Sequence, residues 1–188
     1  MNETIRLFTG IALPDSIRHE LRSMLPMWQQ RFAFGKWAHP HDWHVTLHFL
    51  GEMPVGHQAG MQVALDQGAA AVSAFTLRIA GLGTFGAPRS PSILWVGLPE
   101  PLDPLRSLHA ELGQSLRTRV GFQAEQRAYR PHLTIARKYR GDQPWNPALL
   151  EHVEVPELSF AVTEACLFVS RLGRSPMYEI VHRSPLRP

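Results

Sequence analysis

The stretches WHVTLHFLG (residues 43–51) and YRPHLTIARK (129–138) each contain His-x-Thr followed by a branched apolar residue. The two histidines, at 44 and 132, stand 88 positions apart. Two further matches fall in the same order at nearly the same offset. RLFTGIALP before one helical pattern corresponds to SILWVGLPEP before another, their Leu-Pro pairs 85 apart at 13 and 98. Arg89-Ser90-Pro91 recurs as Arg174-Ser175-Pro176, each time ahead of an apolar strand pattern. Three ordered matches at nearly one offset point to a duplicated unit, and therefore to two lobes about a pseudo-two-fold axis.

Between these landmarks, short apolar runs alternate with helical patterns. Strands are predicted over 5–13, 44–51, 75–85, 92–98, 132–137, 158–172 and 177–183. Helices are predicted after Pro14-Asp15, with Ile17, Leu21, Met24 and Leu25 at helical spacing, over 57–72, and after Pro99, with a short one near PALLEHV. GLGTFGAPRSPS (81–92) reads as a turn-rich loop where the halves meet, too short and too tightly flanked for a flexible tether. One bilobal domain over 1–188 is expected.

Composition narrows the class. A hydrophobic fraction of 44% with 19% charged residues describes a soluble globular chain. No apolar run approaches the roughly 20 residues of a membrane helix, and MNETIRLFTGIALP reads as a first strand rather than a signal peptide. The single Cys166 excludes an internal disulfide and points to a reducing cytoplasm; its apolar surroundings favour a buried structural thiol. Arginine outnumbers lysine 17 to 2, the lysines being Lys36 and Lys138, while the net charge is only +3. Arginine forks onto phosphate, so a nucleic-acid partner is permitted, although codon bias produces the same enrichment.

On a strand, alternate residues share a face. His44 and Thr46 therefore point together, with His48 next along that face, and Val45, Leu47 and Phe49 point the other way. His132 and Thr134 likewise oppose Leu133 and Ile135. If the lobes are symmetry-related, the two polar faces meet across one cleft. Facing imidazoles suit in-line displacement at phosphorus: one accepts a proton from the nucleophile and the other gives one to the leaving oxygen. Their unperturbed pKa of about 6.5 keeps both forms accessible near neutrality. The hydroxyls can stabilise charge on the phosphate oxygens, so no metal is required. Metal binding by His39, His41, His44 and His48 is the rival, but Pro40 and the strand pattern spoil a tetrahedral arrangement and no cysteine lies nearby. The chain has no GxxxxGK[ST] loop, GxSxG elbow or CxxC pair, and Gly81-Leu82-Gly83 lacks the strand-to-helix setting of a dinucleotide site.

WHVTLHFLG and RPHLTIAR resemble the paired His-x-Thr motifs of the 2H phosphoesterase superfamily. More narrowly, the chain is similar to bacterial and archaeal RNA 2′,3′-cyclic phosphodiesterases, also called 2′-5′ RNA ligases. RLFTGIALPDSIR, Trp43, the Arg-Pro before the second motif and LFVSRLGRSPMYEI support this. The resemblance implies an α+β fold with two pseudo-symmetric lobes of antiparallel sheet and flanking helices around a central cleft. It also implies metal-independent, cofactor-free hydrolysis of RNA ends bearing a 2′,3′-cyclic phosphate, with 2′-5′ ligation as a side activity. By carry-over His44 is the proton donor and His132 the proton acceptor, with Thr46 and Thr134 on phosphate oxygens; the residues themselves do not say which histidine plays which part. Arg137 stands where relatives often place a phosphate-contacting arginine, yet strand parity sets it opposite His132, so that role needs a bulge or a strand end. Lys138 stands where an acidic residue is frequent. Arg130 and Tyr129 line either the cleft or a solvated turn. Trp43 and Phe49 are candidates for stacking on a base, Phe49 with core parity. A monomer without membrane contact is expected. The other readings are a phosphodiesterase of small cyclic phosphates or 2′-5′ oligonucleotides, and a non-catalytic RNA-end-binding module.

Overall fold

The computed structural model describes residues 3–153 and 155–188. Strand β1 (Thr4–Ala12) leads through Leu13-Pro14 into helix α1 (Asp15–Arg31), whose first turn carries Asp15 and last turn Arg31, charges that suit the helix dipole. Then follow β2 (Phe34–Trp37), a 3-10 turn at Pro40–Asp42, β3 (His44–Pro54), α2 (Gln58–Ala70), β4 (Phe75–Ala87), β5 (Ser90–Gly97) and α3 (Asp103–Val120). The chain closes with β6 (Leu133–Tyr139), a 3-10 helix at Pro147–Leu150, β7 (Leu158–Val162), β8 (Glu164–Ser170) and β9 (Tyr178–Pro185). The architecture is a curled, antiparallel α+β sheet with helices against it.

The strands run in the order β7-β4-β5-β6-β3-β1-β8-β9, with β2 laid against β6. At the centre β3 and β6 share one register pair, Val45 with Leu133. Outward from that pair, β1 and β5, then β8 and β4, then β9 and β7 occupy corresponding places. One apolar core joins all three helices to strands of both flanks, including Leu21, Trp28, Leu65, Leu105, Val45 and Leu133. Burying each such side chain contributes roughly 1.5–3 kcal/mol before conformational entropy is set against it. A smaller cluster of Phe8, Cys166 and Phe168 forms separately; on β8, Cys166 and Phe168 alternate with core residues Ala165, Leu167 and Val169, and Phe8 of β1 pairs with Phe168, so the cluster occupies the other face of the sheet. Among the described residues no helix is long and apolar enough to cross a membrane.

Two local expectations are corrected, and one strand was not anticipated. The run 158–172 is two strands, β7 and β8, which depart at Thr163 for opposite ends of the sheet; no glycine or proline marks the break. The segment 81–92 is a strand hairpin rather than a loop. β4 continues to Ala87, and β5 begins at Ser90 on the same flank. Its glycines suggested a loop, but Gly83 lies beneath the Trp95 ring inside the β4–β5 ladder. β2, four residues long, is too short to show a periodicity, yet it pairs with β6.

Helices α2 and α3 pack closely because Gly68 brings one backbone onto the other: a methyl there would lie 2.8 Å from Leu112 Cδ2 and 2.9 Å from its Cα. In an exposed helix Gly→Ala stabilises by up to about 1 kcal/mol. Here Gly68→Ala should instead destabilise by roughly 1–3 kcal/mol through overpacking, read as a lower urea midpoint.

Candidate active site

The single Val45–Leu133 pair organises the site. In an antiparallel register it sets His44 across from Thr134 and Thr46 across from His132, all four on the face opposite the core. Directly opposed side chains start about 5 Å apart at Cβ, so the two motifs form one four-cornered patch. The same device orients each imidazole. His44 Nδ1–H donates to the Asp42 carbonyl at 2.7 Å, and His132 Nδ1–H to the Arg130 carbonyl at 2.8 Å. A carbonyl only accepts, so in both rings Nδ1 carries a proton and Nε2 is left for chemistry. His44 Nε2 lies 2.9 Å from Thr46 Oγ1.

His44 rests among aromatic rings, with Phe8 at 4.6 Å and Tyr178 edge-on at 5.1 Å. Gly10 permits that close seat: a methyl there would meet the Val45 carbonyl at 2.8 Å and His44 Cδ2 at 3.5 Å. The buried Asp42 carboxylate accepts from the backbone N–H of Met177 and of Tyr178, both at 2.9 Å, and so pins the loop that forms this wall. Burial, helped by the charges of Arg137 and His132 and opposed by Asp42, pushes His44 down to about 4. Burial likewise lowers His132, with Arg137 and Arg127 adding to the effect. Both rings are therefore neutral near pH 7 in the protein alone.

A cleft of about 630 Å³ opens beside His44 and Thr134. Arg6, Lys36, Arg137 and Arg174 line it, with the exposed apolar side chains of Phe49 and Leu172. Lys36 on β2 stands directly opposite Arg137 on β6. Like charges so placed repel, and an anion seated between them relieves that cost. His132 stands beside the cleft, packed edge-on against Phe85 at 4.9 Å.

Bulges decide which remaining side chains face the cleft. Thr9 pairs with His48 and Gly10 with Thr46, so Leu47 has no partner on β1. The inserted residue reverses the alternation beyond it. His48 turns into the core, 5% exposed, and Phe49 turns outward, 53% exposed; both are the reverse of the parity expectation. With His48 on the far face, the four histidines of 39–48 do not converge. On β6, Leu94 pairs with Ala136 and Trp95 with Thr134, leaving Ile135 as the extra residue. Ile135 and Ala136 are both buried in succession, and Arg137 emerges into the cleft. Trp43, expected to touch substrate, is instead 1% exposed in the core; it alternates with His44 and so shares the face of Val45. Arg130 is exposed and outside the cleft lining, contributing its carbonyl to His132. Tyr129 does not line the cleft either; its hydroxyl donates to the Thr46 carbonyl at 2.9 Å. The sequence reading missed Arg6, Lys36, Asp42 and Tyr178. Arg6 was detectable, since Arg6, Phe8 and Gly10 alternate with core residues Leu7 and Ile11. Tyr178 reaches His44 only through tertiary packing and left no local signal.

A profile of the 2′-5′ RNA ligase superfamily matches residues 13–174, which include both motifs. The chain belongs to the 2′-5′ RNA ligase superfamily. Among members of the superfamily, a Bacillus subtilis (strain 168) protein named RNA 2′,3′-cyclic phosphodiesterase is 31% identical over 181 residues, 95% of each chain. A Geobacillus stearothermophilus protein of the same name is 36% identical over 153 residues, 81% of this chain and 48% of that one, so this chain spans about half its length. The fold is similar to that of E. coli LigT, with a TM-score of 0.74 to its apo form at 25% identity over 99% of both chains. The TM-score to LigT complexed with 3′-AMP is 0.72, at 27% identity over 99% of this chain and 100% of that one.

The depressed His44 pKa has a testable sign. Between about pH 4 and 6.5 the folded protein binds fewer protons at His44 than the unfolded chain does. The stability due to its neutral form is thus complete above about pH 6.5 and is lost as pH falls toward 4. NMR titration should place His44 near 4, and urea unfolding should show His44→Asn flattening the decline in stability over that range.

Proposed function

We propose that this protein hydrolyses 2′,3′-cyclic phosphodiester ends of RNA to 2′-phosphomonoesters without a metal ion, His44 acting as proton donor and His132 as proton acceptor. The observation that carries the reading is the matched pair of imidazoles, each with Nδ1–H held by the carbonyl two residues before it and Nε2 left for chemistry. The names of the relatives support the substrate class.

His132 Nε2 takes a proton from water as the water oxygen attacks phosphorus. The P–O3′ bond breaks, O3′ takes the proton of His44 Nε2, and the phosphate stays on O2′. Solvent then restores both rings. His44 is neutral in the protein alone, so its proton must come with the substrate. A phosphodiester anion beside the ring favours imidazolium and raises its pKa. Thr46 and Thr134 hold the non-bridging oxygens, and Arg137 with Lys36 neutralises their charge. If the 5′-hydroxyl of another RNA replaces water, the same displacement makes a 2′-5′ linkage. The corresponding strand places on either side of Val45–Leu133 support an origin of this single 1–188 domain in a duplicated unit.

An RNA oligomer ending in a 2′,3′-cyclic phosphate, incubated with the protein and EDTA, should yield a 2′-phosphate end. His44→Ala and His132→Ala should each lower kcat by about 10²- to 10⁴-fold with the fold retained, and kcat/KM should be bell-shaped in pH. Loss of activity on chelation, or near-normal turnover in either variant, would refute the two-histidine mechanism.

A further inference from the structure

Strand pairing alone does not hold the second motif against the first. β3 and β6 share only Val45–Leu133, β6 begins at Leu133, and Pro131 has no N–H with which to extend the ladder. The link at that point is the Tyr129 hydroxyl, which donates to the Thr46 carbonyl at 2.9 Å across 83 residues of sequence. The Tyr129 ring is itself clamped. It stacks on His109 of α3 at 3.9 Å and 12°, and His109 stacks on His48 of β3 at 4.0 Å and 25°. His48 Nε2–H donates to the His109 carbonyl at 2.7 Å. The contacts therefore form a closed circuit that leaves β3 at His48, crosses α3, and returns to β3 at Thr46 through a residue three positions before His132. The bulge that turns His48 away from the cleft is what closes it. Burial raises the Tyr129 pKa, so its hydroxyl stays a donor, and lowers those of His109 and His48, so the stack stays uncharged near neutrality.

We propose that Tyr129, held by the His48–His109 stack, is a positioning residue that registers His132 against Thr46. The inference rests on the reading of these motifs as one catalytic site. Tyr129 touches no reacting atom; it fixes the separation of the two proton carriers by tying the segment of one to the strand of the other.

Tyr129→Phe keeps the ring and the stack and removes only the donor. Its kcat on cyclic-phosphate-ended RNA should fall about 10- to 100-fold, as expected for a small misplacement of a catalytic group, with KM nearly unchanged and circular dichroism as wild type. In spectra of protein with labelled histidines, the ring signals of His132 should move while those of His44 stay. His109→Ala should give the same pattern, and His109→Phe, which restores a flat ring beneath Tyr129, should recover most of the turnover. Wild-type kcat in Tyr129→Phe, or unmoved His132 signals, would overturn the proposal. If the wild type itself leaves the RNA uncut, the proposed activity fails, while the His132 signals of Tyr129→Phe still decide the positioning role.

Discussion

The cross-strand contact between Val45 and Leu133 is the point on which the molecule turns. Both side chains are fully buried, so the pairing is anchored from behind by the common core. Because a strand alternates its faces, fixing one apolar pair fixes the polar residues on either side of each partner. Two imidazoles and two hydroxyls are thereby brought together by apolar packing rather than by attraction for one another. Such a patch of polar groups needs this outside support, since nothing within it would hold it closed. Beyond that contact the two flanks pair outward with their own neighbours, and cationic side chains gather in the cleft at the seam.

The electrostatic setting follows from the same geometry. The aromatic wall of Phe8, Phe168 and Tyr178 disfavours a charged His44, and the Arg137 guanidinium adds to that. Lys36 faces Arg137 across a strand pair. In the proposed reaction the phosphate resolves both tensions at once, lying between like charges and supplying the negative field that an imidazolium needs. The acid is then charged only where a substrate is present, which couples recognition of the anion to readiness for proton transfer.

How much of this was legible in the sequence varied with the kind of signal. His44, Thr46, His132 and Thr134 could be placed on common faces because each motif precedes the first bulge in its strand. The faces of His48, Phe49 and Arg137 could not, since a bulge depends on the partner strand and leaves no mark in its own composition. Arg137 showed the difficulty openly, its parity conflicting with the role the resemblance implied until Ile135 was found to be the extra residue. Trp43 was misjudged although alternation with His44 already set it on the core side. β2 and the division of 158–172 were beyond local patterns, as both are decided by pairing with distant strands.

The flanks of the sheet are interlaced in a way that bears on when the site can exist during synthesis. β8, late in the sequence, pairs with β1 and carries β9 on its other edge, and the carboxylate of Asp42 grips the backbone at Met177 and Tyr178. A nascent chain that has just released its second His-x-Thr from the ribosome already carries every residue of both motifs. It still lacks Phe168 and Tyr178 of the aromatic wall around His44, and the strands β8 and β9 that carry them. Such a chain holds the chemical groups without the completed pocket, and His44 is more open to water until Phe168 and Tyr178 arrive. Completion of the site is in this sense timed by the synthesis of β8 and β9.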